Sequence, residues 1–154
     1  MSTDDHVAVT ALLGRDPRCP VDVVVRHADG SPVVIRNPPI LDDGTPMATR
    51  YWLVGEPERR QVADLESEGG VWAAQAAVDA QALSDAHERY RAERDAAWPD
   101  DAAGPRPFGG VGGTRVGVKC LHAHYAYRLA GGEDPVGAWV ADALAHAERS
   151  ERCG

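Results

Sequence analysis

Three short apolar runs open the chain: Val21–His27, Pro32–Arg36 and Arg50–Val54. They are rich in β-branched or aromatic residues and are separated by Pro, Gly, Asp and Asn, which predicts strands divided by turns. The turn Ala28–Ser31 is short enough to join the first two as a hairpin. Residues 37–49 hold Pro38, Pro39, Gly44 and Pro46 and read as an irregular surface loop. Beyond residue 55 the apolar period becomes helical. Glu56–Glu68 carries Val62 and Leu65 and stops at Gly69-Gly70. Val71–Trp98 is a longer stretch whose charged second half, His87–Asp95, is expected to face solvent. Val118–Ala130 and Pro135–Arg149 read as two more helices, and a short one, Asp4–Gly14, precedes the strands. Strands first and helices after predict an α+β fold: a small three-stranded antiparallel sheet followed by about four helices. The expected organisation is one domain over residues 1–149 with a frayed tail over 150–154.

Composition narrows the function classes. The chain has 154 residues, of which 44% are hydrophobic and 26% charged, as expected of a single globular domain. A net charge of −8 disfavours nucleic acid and anionic membranes as partners, because both require clustered Lys and Arg. No apolar run approaches the roughly 20 residues of a membrane span. The start, Met1–His6, is polar and acidic, unlike a secretory signal. Cys19, Cys120 and Cys153 are odd in number and widely spaced, so no disulfide framework is expected and a reducing cytoplasm is the simplest location.

The segment richest in chemistry runs from Phe108 to Tyr127. Gly109, Gly110, Gly112, Gly113 and Gly117 precede a predicted helix that opens near Lys119, the only lysine in the chain. Glycines let backbone N–H groups converge on a ligand, and a helix start offers free donors and a positive dipole. Arg115 and Lys119 would add charge. This predicts a site for a small phosphate-like anion at Gly110, Gly112, Gly113, Arg115 and Lys119. Neither the P-loop nor the dinucleotide fingerprint is matched, because no Gly-Lys-Ser/Thr occurs and no strand leads into the glycines. A plain Gly/Pro connector explains the same residues.

Helical spacing of about 100° per residue sorts the residues after the glycines. Val118, Leu121, Tyr125 and Leu129 form one stripe, while Cys120, His124 and Tyr127 fall opposite. His122 points away from Cys120. On that geometry Cys120 and His124 are neighbours, and one helix cannot aim Cys120, His122 and His124 at one ion. A zinc site built on Cys120 and His124 would need further ligands from Cys19, His27 or a carboxylate elsewhere; no metal and no cofactor is assigned. The rival reading is a thiol-dependent enzyme. In it Cys120 is the nucleophile in a first helical turn beside Lys119, with His122 or His124 as base. A small buried Cys and a backbone-bonded His form the structural alternative. Arg36, Arg50 and Tyr51 flank the strands and are candidates for the same cleft.

Several of these segments together resemble the uncharacterised bacterial domain-of-unknown-function family five hundred and one. The resemblance rests on Leu13-Gly14-Arg15, Asp43-Gly44-Thr45-Pro46 and Tyr51-Trp52-Leu53. Its strongest part is Val118-Lys119-Cys120-Leu121-His122-Ala123-His124 with Gly110-Val111-Gly112-Gly113 before it. The family is typical of high-GC Gram-positive bacteria, with genes beside a septum-formation initiator and an exopolyphosphatase. The resemblance therefore implies a cytoplasmic role tied to phosphate or to division; for a division-related protein partner, the charged helix Ala86–Trp98 is the candidate docking surface. The resemblance carries no catalytic assignment. Where members often show Cys-Pro-Cys-Gly before the second strand, this chain has Arg26-His27-Ala28-Asp29-Gly30.

Overall fold

The computed structural model describes residues 1–153. Its sheet is three-stranded and antiparallel, with β1 (Asp22–Arg26), β2 (Pro32–Arg36) and β3 (Tyr51–Leu53) in that spatial order. β2 is central, pairing Val23 with Ile35 on one side and Val34 with Leu53 on the other. The fold is α+β, as the order of apolar runs predicts.

Six α-helices surround the sheet among the described residues; five of them follow it, more than the four or so expected there. α1 (Thr3–Leu13) precedes the sheet; Ser2 caps its start by accepting from the Asp5 N–H, and Gly14 closes it at φ 75°. α2 (Glu58–Ser67), α3 (Gly70–Ala77) and α4 (Ala80–Ala96) come after β3. The long helix expected over Val71–Trp98 is thus two helices. The break comes at Asp79, which caps α4 by accepting from Ala82 N. α5 (Leu121–Leu129) and α6 (Pro135–Cys153) complete the chain. α6 continues through most of the stretch read as a frayed tail, and Gly154 lies outside the described residues. No helix is long and apolar enough to cross a membrane among the residues described.

Each face of the sheet is covered. Val34, Tyr51 and Leu53 face the helical layer and pack with Val62, Ala74, Leu83, Leu121, Ala126, Val136 and Val140. Ile35 and Trp52 face the other way, against Val9 of α1 and the loop residue Leu41. Burying each large apolar side chain contributes about 1.5–3 kcal/mol, so α5, at the centre of the larger cluster, is firmly anchored.

Two expectations about helix faces hold only in part. The charged half of α4 is not simply solvated: Leu83, Ala86, His87, Tyr90 and Arg94 form a buried stripe at helical spacing. On α5, Leu121, Ala123, His124, Tyr125, Ala126 and Tyr127 are all buried. A central helix has neighbours on several sides, so a one-sided stripe does not describe it.

Candidate functional site

The helix expected to start at Val118 starts three residues later. Cys120 is the residue before α5 and is extended, at φ −146° and ψ 125°. The 100° rule therefore does not apply between Cys120 and His122 or His124, and the predicted Cys120–His124 neighbourhood is not formed. Cys120 instead meets His122, the residue that helical spacing points away from it. Cys120 Sγ, a ring nitrogen of His122 and a carboxylate oxygen of Glu66 all lie within 4.8 Å of one another.

Glu66 comes from the last turn of α2. Its Oε2 accepts the Leu121 N–H at 2.9 Å, and its Oε1 lies 3.1 Å from His122 Nδ1. The other ring nitrogen, Nε2, lies 3.0 Å from the Arg59 carbonyl oxygen. A carbonyl only accepts, so Nε2 carries a proton and Nδ1 is the atom presented to Glu66. The hydrogen bond with Cys120 pushes the His122 imidazole up from its ordinary value. Burial opposes that shift, while the Arg59 carbonyl and Glu66 reinforce it. The three side chains are half-buried.

His124 lies elsewhere. Its Nδ1 donates to Asp134 Oδ2 at 2.6 Å, and its ring packs edge-on to His87, with centroids 5.6 Å apart. Asp134 uses its other oxygen to accept Val136 N and Gly137 N at the start of α6. At 1% exposure His124 does not meet solvent. Cys120, His122 and His124 thus do not converge, as expected, but two of them do, and a carboxylate completes the group.

The Gly-rich loop folds onto itself. Gly110 N donates to Thr114 O and Gly113 N to Gly110 O, while Gly112 and Gly113 take positive φ of 61° and 79°. Val111 N donates to His87 Nδ1, and Val118 N to Gln75 Oε1. The His87 Nε2–H donates to Gly117 O at 2.9 Å, so the ring is neutral with both nitrogens used, and burial pushes its proton affinity down. A Cβ on Gly110 would stand 2.5 Å from His87 Cβ, which explains the glycine there. Arg94, fully buried on α4, donates to the carbonyls of Ala48, Pro107, Phe108 and Gly109.

The two cations expected at the anion site are placed differently. Arg115 stacks on Phe108, its guanidinium carbon 3.9 Å from the ring centre, and Lys119 is exposed. Arg36 pairs with Asp22, and Arg50 donates to Asn37 O. The Tyr51 hydroxyl bonds Glu93 and is pushed up to about 12, by burial first and by that carboxylate second. One helix-start N–H that an external anion could use, Leu121 N, is held by Glu66.

Glu66, Asp134, His87 and Arg94 escape sequence reading. Glu66 is one acidic residue among several on a polar helix, and only the packing of α2 against α5 gives it a role.

A family model described as "Protein of unknown function (DUF501)" matches residues 23–142, and the chain belongs to that family. No curated protein and no solved structure matches the chain.

Proposed function

We propose that this member of a family of unknown function works through a thiol-dependent centre: Cys120, attended by His122 and Glu66, where α2 meets α5. The observation that carries the reading is the convergence of a sulfur, an imidazole nitrogen and a carboxylate within 4.8 Å at a half-buried position. The other cysteine whose side chain is described, Cys19, is buried in the smaller core beside Ile35 and Leu41, where burial pushes its thiol up. Thiol chemistry depends on exposure and polar neighbours, and only Cys120 of the two has both.

The phosphate-like anion reading draws less support. Glu66 occupies the Leu121 N–H, and several loop amides are used internally. The division-partner reading draws less as well, because α4 turns His87, Tyr90 and Arg94 inward.

Alkylation of the native protein, read by peptide mapping, tests the thiol reading. Cys120 is expected to react in the folded state while Cys19 reacts only after denaturation. Equal inertness of the two thiols would refute it. Titration with inorganic phosphate tests the anion reading separately, with Lys119→Ala and Arg115→Ala as the variants that should abolish binding.

A further inference from the structure

We infer that Glu66, Cys120 and His122 bind a divalent transition-metal ion, with zinc as the best match to this donor set. The inference rests on the reading of Cys120 as the working thiol and names what that thiol binds.

The donor roles point to a cation. With its proton on Nε2, a neutral His122 turns the Nδ1 lone pair toward Glu66 Oε1, 3.1 Å away, and Cys120 Sγ lies within 4.8 Å of a nitrogen of the one and an oxygen of the other. A thiol proton or a proton on Nδ1 bridges only two of these groups. A metal ion satisfies three, because each group offers it an electron pair.

The geometry is close to what coordination needs. Metal–ligand bonds of about 2.0–2.3 Å place tetrahedral ligands about 3.3–3.8 Å apart. The three donor atoms already lie within 4.8 Å of one another, so small side-chain rotations suffice. The surrounding bonds also suit ligands. Metal-bound imidazoles usually give their second N–H to a carbonyl or carboxylate, and His122 gives its own to Arg59 O. Glu66 is steadied by the Leu121 N–H on one oxygen, which leaves the other for the ion. Cys120 is fixed just ahead of a helix whose next residue, Leu121, is fully buried.

The arrangement favours ligation over an acid–base relay. A Cys–His–carboxylate relay puts the thiol on one ring nitrogen and the carboxylate on the other. Here the carboxylate takes Nδ1, a backbone carbonyl holds Nε2, and the sulfur lies within 4.8 Å of the carboxylate oxygen as well as of a ring nitrogen. Convergence on one point is the pattern of a chelate.

The donor types choose the metal. Thiolate and imidazole disfavour magnesium and calcium, which take oxygen ligands, and suit zinc. Three protein ligands at a half-exposed place leave a fourth position facing solvent, where a water molecule would complete a tetrahedron.

The test uses the untagged full chain. Zinc is titrated in competition with a chromophoric chelator, and cobalt(II) is added to the same protein as a spectroscopic probe. One equivalent of zinc is expected, with a sulfur-to-cobalt charge-transfer band and the visible bands of a tetrahedral ion. Bound zinc is expected to slow Cys120 alkylation. Cys120→Ser should remove the charge-transfer band. Cys120→Ser and His122→Gln should each weaken zinc by more than the roughly 10–100-fold typical of losing an outer-shell partner. Circular dichroism confirms that each variant is folded, and His124→Gln, which removes a histidine outside the cluster, should leave the cobalt spectrum unchanged. A Cys120 that alkylates freely in a protein that binds no zinc would overturn the metal inference and leave the thiol reading standing. Zinc bound equally well by Cys120→Ser would overturn it too. A Cys120 inert with and without zinc, in a protein that shows no charge-transfer band, would overturn both.

Discussion

His124 donates from Nδ1 to Asp134 Oδ2 at 2.6 Å, and the two side chains are 1% and 0% exposed. The same carboxylate caps α6 through Val136 N and Gly137 N. One group therefore joins α5 to α6 and starts the last helix. Asp134→Ala strands the imidazole and frees two helix-start donors. Removing one partner of a buried pair costs about 3–5 kcal/mol, and a lost cap about 0.5–2 kcal/mol. We expect Asp134→Ala to destabilise by about 3 kcal/mol or more. Asp134→Asn, which keeps an acceptor, should cost clearly less. Urea denaturation measures both, and an Asp134→Ala midpoint near that of the wild type would remove this pair from any structural role.

Arg94 illustrates how an arginine can be consumed by architecture. Its guanidinium donates to four carbonyls on two loops and lies beside Asp95 at 3.2 Å. A planar fork with several donors can do this, whereas a lysine ammonium is a compact point charge that cannot span the same set. We expect Arg94→Lys to lose about 2 kcal/mol or more, since carbonyls left unpaired cost about 1–3 kcal/mol each. Amide exchange should speed up from Pro107 to Val111 before it does in the sheet. Uniform exchange across the chain would show that Arg94 does not organise the loop.

The sheet was legible because its signals are local. Val-rich runs, the Ala28–Ser31 turn and the Pro-rich 37–49 loop each depend on a few adjacent residues. The α3–α4 break was harder to see, because Val78-Asp79 is a capping signal set inside a run of good helix formers. The site was half legible. Cys120 and His122 stood out as residue types, but their relation depended on whether the helix began at Val118 or Leu121. That boundary is set by long-range contacts: Gln75 takes the Val118 N–H and Glu66 takes the Leu121 N–H. Neither partner is visible from the segment itself, and a shift of three residues is enough to reverse a helical-wheel deduction.

His87 gives the fold a pH dependence of definite sign. Burial lowers its folded-state proton affinity below the ordinary value of 6.5. Protonation would also forfeit the bond that Nδ1 accepts from Val111 N. The unfolded chain then binds the proton more readily, so stability rises with pH through this window and falls as pH drops below about 6.5. His122, which is pushed up, acts in the opposite sense, so the diagnostic is a difference between proteins. Between about pH 7 and pH 5, the wild type should lose more stability than His87→Gln. The excess slope should not exceed about 1.4 kcal/mol per pH unit for one proton. Denaturation curves at several pH values read it directly, and parallel pH profiles would contradict the assignment.

Glu66 has two roles that substitution can separate. Its Oε2 satisfies Leu121 N at the start of α5, and its Oε1 faces His122. Glu66→Ala removes both and leaves a helix-start donor without its partner. At 27% side-chain exposure water can replace part of that bond, so a loss of about 1 kcal/mol is expected, within the range for lost caps. Glu66→Gln keeps a carbonyl oxygen for Leu121 while removing the charge beside His122. It should retain most of the wild-type stability and most of the exchange protection at the Leu121 amide. Denaturation midpoints of the two variants, with amide exchange at that one residue, make the comparison. If alanine and glutamine cost the same and both expose Leu121 N–H, the carboxylate charge rather than the cap holds α5 at this boundary.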